Sequence, residues 1–208
     1  MAEITLRNIE EKDYFDVECM TKSAFWNLNM PGCDEHYLVH RLWKDPAYIP
    51  QLSLLAECEG EIVGAILYSK ATIENEYGIV DTLTFGPLCV IPKLQKNGIG
   101  GMLLKKSMGK AKECGYTSIL ITGVPTYYPK YGFITADHFH ITLPDGSNPD
   151  AFMGIELVPD SLKDTAGKFH EADIFMGDVH DKQYLTEVEE FDKAFPYMEK
   201  KILPHQWR

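Results

Sequence analysis

The chain has 208 residues, of which 45% are hydrophobic and 25% charged, as expected for one globular core with at most a modest appendage. Its formal net charge of -11 disfavours general nucleic-acid binding and favours attraction of a cationic substrate. No apolar run has the length of a membrane span, and no signal-peptide pattern is visible, so we expect a cytoplasmic protein without a membrane partner.

The first part of the chain alternates between strand and helix patterns. Residues 2–8 alternate apolar and polar side chains, which predicts a half-buried strand. Residues 10–25 carry apolar side chains near helical spacing and predict a helix. A loop with Asn, Pro and Gly over residues 26–34 precedes a second predicted helix over residues 35–44.

A β-hairpin and a long strand are predicted next. Two apolar runs, residues 52–57 and 62–70, flank a Glu-Gly turn and predict the hairpin. Residues 71–78 are polar and predict a connection. Residues 79–91 predict a long strand that should bulge or splay at Gly86-Pro87, because proline cannot donate to a strand ladder.

The centre of the sequence combines a strand, a glycine-bearing turn and a helix predicted over residues 99–113, with Gly115 as its cap. Glycines let backbone N–H groups approach a ligand, and the first amides of a helix lie unpaired at the positive end of its dipole. Positive charge surrounds the turn in a negative chain, from Lys93, Lys96, Lys105 and Lys106. This combination indicates a phosphate-bearing ligand.

The turn matches neither of two common nucleotide motifs. The P-loop needs Gly-x-x-x-x-Gly-Lys-Ser/Thr, and the Rossmann fingerprint needs Gly-x-Gly-x-x-Gly, and neither pattern is present. What remains is Gln-x-x-Gly-x-Gly, starting at Gln95, between a strand and a helix. In that context it resembles the acyl-CoA pyrophosphate loop of the GNAT N-acetyltransferase superfamily.

Downstream residues strengthen the resemblance. Residues 116–123 read as a buried strand, and Val124-Pro-Thr-Tyr-Tyr-Pro-Lys-Tyr-Gly-Phe133 looks like the Tyr-x-x-aromatic-Gly-Phe ending of GNAT domains. The resemblance covers roughly residues 3 to 157 and is strongest for the bacterial predicted-acetyltransferase branch. It implies an α/β (α+β) fold with a mixed, mostly antiparallel, splayed sheet and helices on both faces.

The resemblance also implies a site for acetyl-CoA. Leu88, Cys89 and Val90 would hold the pantetheine arm, and a backbone N–H there would polarise the thioester carbonyl. The residues that would bind pyrophosphate are Gln95, Lys96, Asn97, Gly98, Ile99, Gly100 and Gly101. The region between the first two strands would line the acceptor site.

Tyr128 matches, by its spacing to Gly132 and Phe133, the tyrosine that many family members place beside the thioester sulfur as general acid. Tyr127 or Tyr131 could hold that position if the short helix predicted there is rotated. No general base stands out, and a water chain is an alternative; the candidates by location are Glu35, His36, Glu74, Glu76 and Asp81. Cys89 is interpreted as a packing thiol, because no base is indicated beside it.

No metal and no disulfide framework is predicted. His36 and His40 are four apart on a predicted helix, and His138 and His140 share a predicted strand face, but neither pair has an evident third ligand. The five cysteines form no close pair.

The C-terminal part predicts a strand pair over residues 138–143 and 152–157, which would end a domain of residues 1–157. Residues 158–208 would form an extension that packs on this domain or on a partner. Within the extension, residues 184–194 show helical spacing, with Thr186 and Glu189 as a capping box.

Taken with the resemblance, the sequence therefore implies an acetyl-CoA-dependent N-acetyltransferase that acts by direct attack of a primary amine of a small molecule or peptide, with Tyr128 as general acid. A non-catalytic acyl-CoA-binding sensor or scaffold and a transferase of a longer acyl group are the alternatives. The expected partner is the amine substrate, and assembly as a homodimer stays open.

Overall fold

The computed structural model describes residues 3–175 and 181–206, and these residues contain nine strands and four α-helices. The strands are β1 (Ile4–Asn8), β2 (Leu54–Cys58), β3 (Glu61–Asn75), β4 (Gly78–Val90), β5 (Ser118–Thr122), β6 (Ile134–Thr135), β7 (Ile141–Thr142), β8 (Phe152–Glu156) and β9 (Gly167–His170). The helices are α1 (Tyr14–Phe25), α2 (Glu35–Leu42), α3 (Ile99–Glu113) and α4 (Lys182–Asp192).

One sheet holds the nine strands of the described residues. Neighbouring strands follow the order β1-β2-β3-β4-β5-β8-β6, while β9 lies beside β3 and β7 beside β9. The pairs are antiparallel except β4 with β5 and β7 with β9. The predicted mixed, mostly antiparallel sheet is confirmed.

The sheet splays between β4 and β5. These two strands pair at Leu83 and Ile119, near the middle of β4. Further along, the register of β4 against β3 shifts between Phe85 and Leu88, so that Gly86 and Pro87 form a bulge. Beyond the bulge β4 stays paired with β3 and separates from β5, which leaves one side of residues 88–90 open.

Both faces of the sheet are covered by helices, as predicted. Successive residues of a strand point to opposite faces, and in β3 Ile66 and Tyr68 pack in the cluster that includes α3. Ala65 and Leu67 pack on the other face in the cluster that includes α1 and α2. The last turn of α3 is closed by Gly115 at φ +89, whose N–H donates to the Lys112 carbonyl, in agreement with the predicted cap.

The connection predicted over residues 71–78 is wrong. β3 continues to Asn75, and a tight turn leads directly into β4 at Gly78. Ala71 and Ile73 are buried in a third cluster that includes Phe169 of β9, whereas the alternate residues are polar and face away. The polar composition therefore reflects one exposed side of a strand rather than a loop.

The strand pair predicted over residues 138–143 and 152–157 is also wrong. Residues Ala136–Phe139 form a 3-10 turn, and only Ile141–Thr142 remain as strand, paired with β9. β8 pairs instead with β5 and β6. His138 and His140 therefore do not share a strand face, because His140 takes a left-handed conformation at the end of that turn.

The sheet continues past residue 157, because β9 pairs with β3 at Thr72, Ile73 and Glu74. α4 begins after Asp181, whose side chain accepts a hydrogen bond from the Gln183 N–H at 2.8 Å. The capping box predicted at Thr186 is wrong, because Thr186 lies inside α4 and donates to the Lys182 carbonyl. The division into residues 1–157 and 158–208 stays a prediction. Within residues 3–175 and 181–206, no helix has the length and apolar character to cross a membrane.

Candidate active site

A cleft of about 620 Å³ opens where β4 and β5 separate. The first of its three walls is the end of β4, residues 88–90, continued by the glycine-bearing turn before α3. The second wall is the segment after β5, from Val124 to Tyr131. The third wall is apolar and comes from the end of α1, with Ala24, Phe25 and Leu28.

The turn before α3 directs unpaired backbone amides at the cleft. Gly98 takes φ +85 as the N-cap residue, a conformation that a residue with a Cβ rarely adopts. The Met102 N–H donates to the Gly98 carbonyl at 3.0 Å and is the first amide of α3 with an intrahelical partner. Among residues 3–175 and 181–206, the three preceding amides have no backbone acceptor. Unpaired amides at the positive end of a helix are suited to binding an anion.

The side chains of this turn hold its shape. Gln95 donates from Nε2 to the Val90 carbonyl at 3.0 Å, and Asn97 donates from Nδ2 to the Leu94 carbonyl at 3.3 Å. Lys96 takes a positive φ of 63° and lines the cleft. The structure therefore brings Leu88, Cys89 and Val90 and most of the predicted turn residues to one wall.

Positive charge reaches the cleft from two sides. Lys130 lies with Nζ 4.5 Å from the ring centroid of Tyr127 and 5.1 Å from that of Tyr131. The Tyr127 and Tyr131 hydroxyls in turn lie against Gly100 and Gly101 at the start of α3. Lys130 was not singled out from the sequence, although its position inside the Tyr-Tyr-Pro-Lys-Tyr motif was a usable signal. Lys93 lies outside the cleft and pairs with Glu61 at 3.2 Å.

The open edge of β4 presents backbone groups to the cleft. The Ile91 N–H donates to the Val63 carbonyl of β3, which fixes the orientation of alternate residues in this antiparallel pair. Cys89 therefore points its backbone groups toward β3, whereas Leu88 and Val90 point theirs toward the gap left by β5. The Gln95 contact with the Val90 carbonyl agrees with that orientation. The Leu88 and Val90 amides are thus donors that an extended ligand can use.

The Cys89 side chain points away from the open edge. Its thiol is buried against α1, with Sγ 3.8 Å from both Thr21 Oγ1 and Met20 Sδ. Burial raises the pKa of the Cys89 thiol to about 12, so the thiolate is not available near neutral pH. The structure agrees with the interpretation of Cys89 as a packing thiol.

Tyr128 fills the base of the splay. Its ring lies 5.8 Å from the Phe85 ring and 5.6 Å from the Phe133 ring. Tyr128 Cε2 would be 2.5 Å from a Cβ at Gly123, so glycine at the end of β5 admits the ring. Burial raises the pKa of Tyr128 to about 12, and its hydroxyl is therefore protonated at neutral pH. Tyr127 and Tyr131, the alternatives for this position, lie instead at the start of α3.

The five candidates for a general base differ in their position relative to the cleft and in their contacts. Asp81 pairs with Thr72 toward the far end of the β3–β4 hairpin, on the order of 20 Å along the strand from Leu88 at about 3.3 Å per residue. Glu74 and Glu76 lie still closer to the hairpin tip. His36 contacts Asp192 through Nε2 at 3.0 Å, and burial lowers the pKa of His36 to about 4.

Glu35 is the remaining candidate, at the first position of α2. Its Oε1 accepts a hydrogen bond from Asn29 at 3.3 Å, and its Oε2 is buried without a partner among the described residues. Burial, followed by the charge of Asp34, raises the pKa of Glu35 to about 7. A buried carboxyl oxygen without a partner among the described residues and a raised pKa are the two properties that favour Glu35 as the base.

His36 and His40 each lie beside a carboxylate of another helix. His36 and His40 contact Asp192 and Glu18 respectively, and no group of three His, Cys, Asp or Glu side chains suited to a metal occurs in the part of the chain that the structure describes. All five cysteines are free thiols.

Sequence comparison relates this chain to a known protein family. The model of the acetyltransferase (GNAT) family matches residues 8–133. YjhQ of Escherichia coli K12, named an uncharacterized N-acetyltransferase, is 38% identical over 96 residues, which cover 46% of this chain and 53% of YjhQ. The chain thus aligns with about half the length of YjhQ. YhbS of the same strain, also named an uncharacterized N-acetyltransferase, is 25% identical over 139 residues, 66% of this chain and 81% of YhbS.

Solved structures share the fold. The crystal structure of YhbS from Escherichia coli in complex with CoA has a TM-score of 0.75 at 20% identity and covers 85% of this chain and 93% of its own. A GNAT family acetyltransferase from Brucella melitensis in complex with acetyl-CoA has a TM-score of 0.68 at 22% identity, covering 84% and 99%. The predicted GNAT fold is confirmed. Since the family match spans more than half of its residues and includes the turn before α3 and the motif ending at Phe133, this chain belongs to the GNAT acetyltransferase family.

Proposed function

We propose that the chain is an acetyl-CoA-dependent N-acetyltransferase whose acceptor is a primary amine of a small molecule or peptide. One observation carries the proposal: a single cleft combines the unpaired amides of the turn before α3, the open backbone edge of residues 88–90 and the ring of Tyr128. Two relatives of the same fold were solved in complex with CoA or acetyl-CoA, which supports this choice of ligand.

The proposed binding mode assigns each part of acetyl-CoA to one wall. The pyrophosphate takes the amides of Gly98 to Gly101, with Lys96 and Lys130 close enough to add positive charge. The pantetheine arm lies along β4 and uses the backbone groups of Leu88 and Val90 in place of a neighbouring strand. A backbone amide of this edge would also stabilise the oxyanion that forms at the thioester carbonyl.

The proposed reaction is direct transfer. The amine nitrogen attacks the thioester carbonyl carbon, the carbon–sulfur bond breaks, and the electron pair leaves with the sulfur of CoA. Tyr128 then gives its proton to that sulfur as general acid. No acyl-enzyme is proposed, because the Cys89 thiol is buried and faces α1 rather than the cleft edge.

Glu35 is the proposed acceptor of the amine's proton. A carboxylate with a pKa of about 7 can take a proton from a bound ammonium far better than an ordinary surface carboxylate. Because the pKa is raised, Glu35 is protonated and inactive as a base below about pH 7 and becomes competent above it. The long-range attraction of a chain with net charge -11 for a cationic amine agrees with this assignment.

The Glu35 assignment predicts a specific pH profile. We expect kcat/KM for the amine to rise with pH up to about 7 and then level off, apart from titration of the amine itself. Glu35→Gln should remove this limb and lower the plateau by about 100-fold. Measurement with two amines of different pKa separates the rise of kcat/KM caused by an enzyme group from the rise caused by deprotonation of the amine. Glu74→Gln, which changes an exposed carboxylate, is the matched control. An unchanged limb in Glu35→Gln would exclude Glu35 as the base.

Thermal unfolding tests the proposed function at the level of binding. Acetyl-CoA or CoA at about 100 times Kd should stabilise the protein by about 2.7 kcal/mol. For a chain of this size that corresponds to a rise in Tm of about 5–10 °C. Adenosine, which lacks the pyrophosphate and the pantetheine arm, is the control and should cause no comparable shift.

Release of CoA thiol across a panel of primary amines then tests catalysis. Binding together with CoA release would support the N-acetyltransferase. Binding of CoA without release for any amine would favour an acyl-CoA sensor, and release only from longer acyl-CoAs would favour a transferase of a longer acyl group. If neither CoA nor acetyl-CoA raises the Tm, the proposal is contradicted.

A further inference from the structure

The loop between α1 and α2, residues 26–34, is hydrogen-bonded to the C-terminal part of the chain. We call residues 181–206 the clasp, because they run along the outer side of α1, of this loop and of α2. Trp26 donates from Nε1 to the Glu199 carbonyl at 2.9 Å. At the other end of the loop, Tyr184 of the clasp donates from its hydroxyl to Asp34 at 2.9 Å. Tyr37, in the first turn of α2, donates to Glu187 of the clasp at 2.9 Å.

Asn27 is the centre of these contacts. It takes a left-handed conformation, φ 61°, directly after α1. Its Oδ1 accepts from the N–H groups of Gly32 and Lys201, both at 2.9 Å, and its Nδ2 donates to the Glu199 carbonyl at 2.8 Å. Its own carbonyl accepts from Gln206 Nε2 at 2.9 Å. The side chain of Asn27 thus joins the two sides of the loop to each other and to the clasp.

A buried ionic contact anchors the middle of the clasp, at the end of α4. Lys22 of α1 is only 4% exposed at its side chain and pairs with Asp192 at 2.7 Å. The same Asp192 oxygen lies 3.0 Å from Nε2 of His36, which is fully buried in α2. Removal of Asp192 would leave the buried Lys22 charge without its anionic partner, a costly state. The clasp is therefore fixed to both helices that flank the loop.

The loop held in this way contributes to one wall of the cleft, together with the end of α1. Phe25 and Leu28 line the cleft on either side of Trp26 and Asn27 in the chain. Among the described residues, none from the clasp lines the cleft itself. The other two walls are occupied by acetyl-CoA in the proposed binding mode, so the wall with Phe25 and Leu28 is the one left for the amine. The clasp can therefore act on the amine through the position of this loop.

We infer that the clasp sets the geometry of the acceptor wall and that Asn27 is a positioning residue for the amine. This inference rests on the proposed function. It predicts an asymmetric effect, because the turn before α3 and residues 88–90 make no described hydrogen bond to the clasp. Loss of the Asn27 side chain should impair the use of the amine and leave acetyl-CoA binding intact.

The test is a kinetic comparison of Asn27→Gly with the wild-type chain. Glycine keeps the left-handed backbone and the bonds of its peptide groups, and removes only the three side-chain bonds. We expect KM for the amine to rise about tenfold, with the Kd for acetyl-CoA within about twofold of wild type. Gln206→Ala removes the side-chain hydrogen bonds from the clasp to the carbonyls of Asn27 and Lys201. It should also raise KM for the amine, by a smaller factor.

Asn148→Ala is the matched control. Asn148 also donates a side-chain hydrogen bond to a backbone carbonyl, that of Ile141 at 2.8 Å, but far from the loop. Its KM for the amine should equal that of wild type. An unchanged KM in both Asn27→Gly and Gln206→Ala, or an equal rise in the Kd for acetyl-CoA, would overturn the inference while leaving the proposed function intact. A wild-type chain inactive with every amine would instead overturn the proposed function, and the inference with it.

Discussion

Replacement of Tyr128 by phenylalanine is expected to lower kcat by about 100-fold or more and to leave the Kd for CoA within about twofold of wild type. The ring stays packed between Phe85, Phe133 and Gly123, because only the hydroxyl is removed. The variant should therefore fold normally and lose only the proton that the departing sulfur requires. Steady-state kinetics together with CoA titration by calorimetry separate the two effects.

Tyr127→Phe is the control for this prediction. Tyr127 is next in the chain and stands edge-on to Tyr128 with ring centroids 5.0 Å apart, but its hydroxyl lies against Gly100 rather than at the base of the splay. Its loss should affect CoA binding modestly and kcat little. A large fall in kcat for Tyr127→Phe combined with normal kcat for Tyr128→Phe would transfer the role of general acid to Tyr127.

Replacement of Gly98 by glutamate is expected to raise the Kd for acetyl-CoA by at least about 100-fold. The new carboxylate would lie beside the amides proposed to bind pyrophosphate, and repulsion between like charges about 4 Å apart amounts to about 4 kcal/mol at an effective dielectric constant near 20. The substitution would also place a side chain at φ +85. Isothermal titration with acetyl-CoA measures the change.

Gly146→Glu separates the charge effect from the backbone effect. Gly146 has the same φ of +85, and a Cβ at either glycine would have no heavy atom within 4 Å. Both variants therefore carry the same backbone strain and the same added charge, and only Gly98 lies at the cleft. Equal and normal affinity in both variants would place the anion site elsewhere.

The part of the fold closest to the proposed chemistry could be predicted because its signals are local. The turn before α3, the helix itself and β5 are encoded by consecutive residues whose glycine, apolar and basic positions act within a few residues of each other. The bulge at Gly86-Pro87 follows from proline chemistry alone. The prediction for Tyr128 follows from the resemblance to the GNAT family, through its short spacing to Gly132 and Phe133, and its ring lies at the base of the splay.

The remainder depended on contacts between distant residues. β7 pairs with β9, which lies in the region where the sequence offered few signals, so neither the partner nor the shortness of β7 could be read locally. From the sequence, Glu35 cannot be distinguished from the four other candidates for the general base. Its raised pKa depends on burial and on the neighbouring Asp34 charge, which only the folded structure shows. The contacts of Asn27 with the clasp lie more than 170 positions away in the chain and have no sequence pattern of their own.

The large separation in sequence between Asn27 and the clasp residues that it contacts also has a consequence for synthesis on the ribosome. All residues of the two walls proposed for acetyl-CoA have been synthesised once residue 131 is added. The loop that contains Leu28 forms its bonds to Glu199, Lys201 and Gln206 only after those much later residues have been made. Closing so long a loop is entropically slow and requires the sheet to be in place. We therefore expect the acceptor wall to be the last part of the cleft to become ordered in a newly made chain, after the nucleotide end has already folded.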